Sequence, residues 1–202
     1  MKFKDFKTFF QKKRIIDSRD FSFIGKESYL RRQVSEWLNQ DRLICLKRGI
    51  YIINDPLVLE KISGLYVANY LYQPSYISLE HALRFYQMIP EEVYQFTSIT
   101  TRKTAGFQNK LGTFVYRHIN KPLFWGFDIV RDNGWNVHIA TREKAVIDFL
   151  YFNRFRFRQN SDLIKSYRFQ NLGFLDKKRW NVYLEKINDR NIFELAEKFL
   201  RI

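Results

Sequence analysis

One cysteine, Cys45, stands in 202 residues, so no internal disulfide can form, and with only three histidines a structural zinc site lacks ligands. Eight glycines and four prolines are too few for a low-complexity or linker-rich chain, and no internal repeat occurs. The phosphate-loop and dinucleotide glycine patterns are missing, as is a Gly-Ser step with paired aspartates of the kind nucleotidyltransferases carry. No metal or cofactor is therefore expected. No apolar run approaches the roughly 18 to 20 residues of a membrane span, and the opening MKFKDFKTFFQKKR interleaves charges where a signal peptide would be apolar. The expectation is a soluble, cytoplasmic protein with no membrane partner.

Acids are also scarce. Against 21 Asp and Glu stand 35 Lys and Arg, a net charge of +14, which favours a polyanionic partner. Residues 1–53 hold 13 of the basic residues and 6 of the acids, so half of the excess sits in the first quarter. Apolar residues make up 46% of the chain and aromatic ones 18%, enough to bury a core and offset the entropy of ordering it.

The clearest boundary is Asn54-Asp55-Pro56, where Pro56 is suited to the first turn of a helix. It divides a small domain, 1–53, from an α+β domain, 55–202. In the first, Phe3, Phe6, Phe9 and Phe10 recur at helical spacing over 3–13, residues 15–18 read as a loop, and 19–24 allow one further turn. Gly25 then interrupts the chain before a helix over 26–40, with Leu30, Val34, Trp37 and Leu38 on one face. Two β-rich runs, 42–46 and 49–53, flank a turn at Lys47-Arg48. This order is that of a winged helix-turn-helix. In the second domain the pattern predicts a helix over 57–72, a helix over 79–86 capped by Ser78, and strands at 93–101, 113–119, 127–131 and 135–140. Asp132-Asn133-Gly134 joins the last pair as a hairpin, and four successive strands suggest an antiparallel sheet with flanking helices. Thr141 caps a helix over 142–153, and further helices are expected at 162–169, 176–187 and 192–201.

A winged helix offers its longer helix to the DNA major groove. On that helix Arg31 and Arg32 suit guanine or phosphate and Gln33 suits adenine, while Lys26, Ser28 and Tyr29 lie near the helix start, where anions are favoured. Lys47 and Arg48 at the hairpin tip can reach the backbone or minor groove, and Lys12, Lys13 and Arg14 add salt-sensitive affinity. The same face also fits a solvated amphipathic surface. Trp37 and the phenylalanines read as core, and Cys45 as a small buried residue.

The stretch LNQDRLICLKRGIY at 38–51 resembles the end of the amino-terminal winged helix of AbiEi-type antitoxins. YISLEHALRFYQMI at 76–89 and IATREKAVIDFLY at 139–151 resemble two further segments of that family, with FTSITTRKT at 96–104 and FVYRHI at 114–119 between them in the expected order. The match departs at His81, where a small residue is usual, and at Gln87-Met88, which replace a glycine-containing step. The resemblance implies a non-enzymatic antitoxin of a type IV toxin-antitoxin, abortive-infection system. Its members repress their own operon at inverted repeats in the DNA and counter a genetically linked nucleotidyltransferase-like toxin without a stable complex. A monomer or weak dimer fits such a role.

The alternative is a metal-dependent nuclease guided by the winged helix. Asp128, Asp132, Glu143 and Lys144 come in a suitable order, but adjacent Glu143 and Lys144 at a helix start diverge, so no catalytic residue is assigned. Glu143, Lys144 and Asp148 read better as a helix surface with an i, i+4 pair. His81, His118 and His138 lie on different elements and read as structural. Arg154-Phe-Arg156-Phe-Arg158 interleaves basic and aromatic residues, placing Arg154, Arg156 and Arg158 on one face of a strand as a second candidate surface for nucleic acid or a partner. An edge strand protected by charge has the same pattern.

Overall fold

The computed structural model describes residues 1–11, 13–160 and 162–201. Helix α1 (Phe3–Phe10) is followed by strand β1 (Ile15–Asp17), a 3-10 segment (Ser18–Phe23), helix α2 (Glu27–Asn39) and strands β2 (Leu43–Lys47) and β3 (Ile50–Ile53). The strands form an antiparallel sheet in the order β1-β3-β2. Strand β1 replaces the loop expected at 15–18, because Ile15 and Ile16 pair with Ile52 and Tyr51 and bury both side chains.

This sheet is covered on both faces. Ile16, Leu43 and Ile53 join Phe6, Phe10, Phe21, Leu30, Val34 and Trp37 in one cluster. Ile15, Ile44, Leu46 and Ile52 belong to the larger core of the remaining chain. Double burial explains why these strands read as nearly continuous apolar runs rather than alternating ones. Cys45 is exposed, not buried. The β2-β3 register shifts between Cys45 and Lys47, and the extra residue of this bulge, Leu46, takes the buried place.

Beyond Asn54, the Asp55 carboxylate accepts the Leu57 N–H and opens α3 (Pro56–Lys61), with Pro56 in the first turn. The helix expected over 57–72 is two helices. The Ser63 hydroxyl accepts the Tyr66 N–H and starts α4 (Gly64–Leu71) afresh. There follow β4 (Ser75–Ile77), α5 (Leu79–Phe85), β5 (Gln95–Thr100), β6 (Ala105–Asn109), β7 (Gly112–His118), β8 (Phe127–Asp132) and β9 (Trp135–Ala140). The chain ends in α6 (Arg142–Gln159), α7 (Asp162–Lys165), α8 (Lys177–Ile187) and α9 (Arg190–Phe199). It is an α+β protein.

The six-stranded sheet has the order β6-β7-β5-β4-β9-β8 and is mixed, correcting the antiparallel expectation. β5 runs parallel to β7, and β4 parallel to β9. β4 and β6 extend a sheet expected from four strands alone. The hairpin at Asn133-Gly134 forms with both residues at positive φ, the backbone of a two-residue turn. Helix α4 packs on β4, β5 and β9, while α5 lies against β5 and α6, which carries α8 and α9.

Candidate nucleic-acid interface

Helix α2 forms where the sequence places it because Leu30, Val34 and Trp37, at i, i+4 and i+7, are buried against α1 and the small sheet. Its other face is open to solvent, with Lys26, Ser28, Arg31 and Arg32 exposed and Tyr29 55% exposed. Both arginines are engaged within the helix. Arg31 lies 2.6 Å from Glu27 and Arg32 3.5 Å from Glu36. Exposed i, i+4 pairs contribute only about 0.3–0.5 kcal/mol each, so a phosphate or a base edge can replace the carboxylates at small cost. Gln33 flanks the buried stripe rather than the open face. Its Nε2 donates to the Met1 carbonyl at 2.7 Å and its Oε1 accepts from the Met1 ammonium at 3.1 Å, so its amide is already occupied.

The turn between β2 and β3 separates two residues that the sequence grouped. Arg48 is exposed and makes no ion pair among the described residues. Lys47 is not at an open tip. Its Nζ donates to the Leu71 carbonyl at 3.0 Å and lies 4.9 Å from the centre of the Phe107 ring. Burial, with Arg102 and Arg19 nearby, holds its ammonium below the usual lysine range. Lys47 thus joins the first 53 residues to α4 and β6. Gly49, at φ 82°, lets this turn meet Ser18, whose N–H donates to the Gly49 carbonyl at 2.8 Å.

Of the auxiliary cations, Lys13 pairs with Asp20 at 2.9 Å. Arg14 donates to the Lys61 carbonyl and lies over Trp135, while Lys12 lies outside the described residues. The segment Arg154–Arg158 is helical, part of α6, not a strand. At 100° per residue Arg154 and Arg158 share a face and Arg156 points away. Arg154 donates to the Tyr151 carbonyl and stacks on the Tyr151 and Phe155 rings. Arg156 and Arg158 are exposed. Phe157 is fully buried eight residues after Phe149, the helical periodicity that overrides the apparent alternation.

Glu143 and Lys144 are likewise not on the surface. Thr141 accepts the Lys144 N–H and starts α6 as expected, but Glu143, Lys144 and Asp148 are all buried. Lys144 pairs with Asp148, whose other oxygen accepts the Ser78 hydroxyl at 2.8 Å and the Tyr76 hydroxyl at 3.0 Å. The Ser78 hydroxyl is therefore committed to Asp148 and does not cap α5. Burial pushes the Asp148 carboxyl up and the Tyr76 phenol well up. Two sequence segments, YIS and EKAVID, meet here in one buried polar cluster, a contact between β4 and α6 that neither segment announces alone. Glu143 accepts the Asp176 N–H at 2.8 Å, tying the start of α8 to that of α6.

Among the described residues no three His, Cys, Asp or Glu side chains group closely enough to hold a metal ion. His81 and His118 each direct Nδ1 at a carbonyl, of Gln95 and Arg102 respectively, and burial holds the His81 imidazole below its usual range. Arg19 and Arg102, which the sequence reading did not single out, converge with Lys47 and Arg48 on one cleft. They lie 83 positions apart, and no local pattern connects them. No family model matches the chain, and no curated protein matches it.

Proposed function

We propose that the chain is a DNA-binding transcriptional repressor and the antitoxin of a type IV toxin-antitoxin system. Residues 1–53 act as a winged helix-turn-helix domain on operator DNA, and residues 55–202 as a non-catalytic domain that counters a nucleotidyltransferase-like toxin in the cytoplasm. The observation that carries the DNA reading is the β1-β3-β2 sheet with α2 packed across it and the outer face of α2 uncovered. That is the arrangement in which a recognition helix can enter the major groove. The charge excess of the first quarter of the chain supports it. The antitoxin role rests on the family-like segments, and inverted repeats would be bound as paired half-sites by a monomer or weak dimer.

The test is a reporter driven by the DNA upstream of this gene, together with growth of cells expressing the neighbouring gene. The expected result is repression of the reporter and relief of toxicity when the full chain is supplied. An unrepressed reporter overturns the repressor role, and unrelieved toxicity the antitoxin role.

A further inference from the structure

Three segments remote in sequence bring basic residues to one cleft of about 420 Å³. Arg19 comes from the start of the 3-10 segment, Lys47 and Arg48 from the β2-β3 turn, and Arg102 from the loop after β5. One carboxylate, Asp17, faces them, and Arg19 already holds it through Nε and Nη2 at 2.9 and 2.6 Å. Arg48 has no acidic partner among the described residues, and neither has Arg102, which stacks on Tyr72 at 4.4 Å and donates to the Gln73 carbonyl. Lys47, partly desolvated, uses one N–H on Leu71. Like charges gathered this way repel one another unless an anion joins them.

We propose that this cleft binds a phosphoryl group held jointly by the first 53 residues and the remainder of the chain. Guanidinium groups match tetrahedral phosphate oxygens with two parallel hydrogen bonds, and Lys47 adds a point charge behind them. A carboxylate suits one arginine, whereas a phosphate offers oxygens to more than one of the guanidinium groups that line this cleft. The phosphoryl group belongs either to a free phosphorylated ligand or to a nucleic-acid backbone passing the turn. The site stands on its own geometry and does not depend on what α2 reads.

Pyrophosphate is the probe. Thermal unfolding of the full chain is followed as sodium pyrophosphate is added, against sodium chloride of equal ionic strength. A ligand that binds only the folded state raises the midpoint in a saturable way. The expected result is such a rise in the wild type and its loss in Arg102→Gln and in Arg48→Gln. The exposed Arg48 serves as the second variant, because its replacement breaks no ion pair among the described residues. A rise no larger than that in chloride, or an equal rise in both variants, overturns the proposal. Competition with a duplex of arbitrary sequence then identifies the source. Displacement of pyrophosphate assigns the site to a backbone phosphate, and Arg102→Gln should then lower the salt slope of duplex binding by about one. Simultaneous binding assigns it to a free ligand.

Discussion

Lys144 and Asp148 are fully buried at consecutive turns of α6, and each completes the hydrogen bonding of the other. Removing one partner of a buried pair typically costs about 3–5 kcal/mol, because a desolvated charge is left behind, whereas an apolar replacement of both costs far less. Asp148→Ala is therefore expected to lose that much stability in urea unfolding, and the Lys144→Met, Asp148→Leu double variant to lose less than either single one. Single variants within about 1 kcal/mol of wild type would show that the pair contributes little. The buried tyrosines set a limit at the alkaline end. The Tyr76, Tyr86 and Tyr116 hydroxyls donate hydrogen bonds to the Asp148 carboxylate and to the Ala140 and Ala68 carbonyls, and burial holds all three phenols above their ordinary range. In the unfolded chain they ionise near pH 10. The folded chain keeps protons there that the unfolded chain releases, so this stability is complete below about pH 10 and falls as pH rises beyond it. Tyrosinate absorbance and circular dichroism recorded together should show a group of tyrosines ionising only as the fold is lost. Reversible ionisation of all of them near pH 10, with the fold intact, would contradict this.

On α2 the arginines that would meet DNA are held by Glu27 and Glu36 of the same helix. These acids have two opposed effects. They support the isolated helix weakly, and they repel phosphate at the surface proposed to approach it. Glu27→Gln with Glu36→Gln should thus cost no more than about 1 kcal/mol of stability while tightening duplex binding several-fold in a titration. Unchanged or weaker binding would place the interface elsewhere. Helix α2 was legible because its buried stripe and its neighbours along the chain agree, and the Asn133-Gly134 hairpin because its turn chemistry is local. Strand β4 was not, since three residues, Ser75–Ile77, give too short a pattern. Neither was β6, where Gly106 interrupts the run. The parallel pairings depend on contacts across the chain, and the RFRFR alternation imitated a strand while Phe157 followed the helix.

At the scale of the molecule, the first 53 residues do not stand apart from the rest. Ile15, Ile44, Leu46 and Ile52 enter the larger core, and Lys47, Asn109 and Lys110 bond across the same junction. Such packing fixes the open face of α2 relative to the mixed sheet and brings Arg102 beside the β2-β3 turn. The sequence puts a boundary at Asn54-Asp55-Pro56 and half of the charge excess before it. It could not place the cleft, because Arg19 and Arg48 meet through the β1-β3 pairing and Arg102 joins them only through this junction. Recognition of DNA by the outer face of α2 can be read by fluorescence anisotropy. The full chain is titrated onto a duplex from its own upstream region and onto a scrambled duplex at a fixed, physiological salt concentration. Preference for the native duplex is expected, with Arg31→Ala and Arg32→Ala each weakening it by about 1–3 kcal/mol where the arginine contacts a base. Equal affinity for both duplexes, or wild-type binding by the double variant, would contradict it.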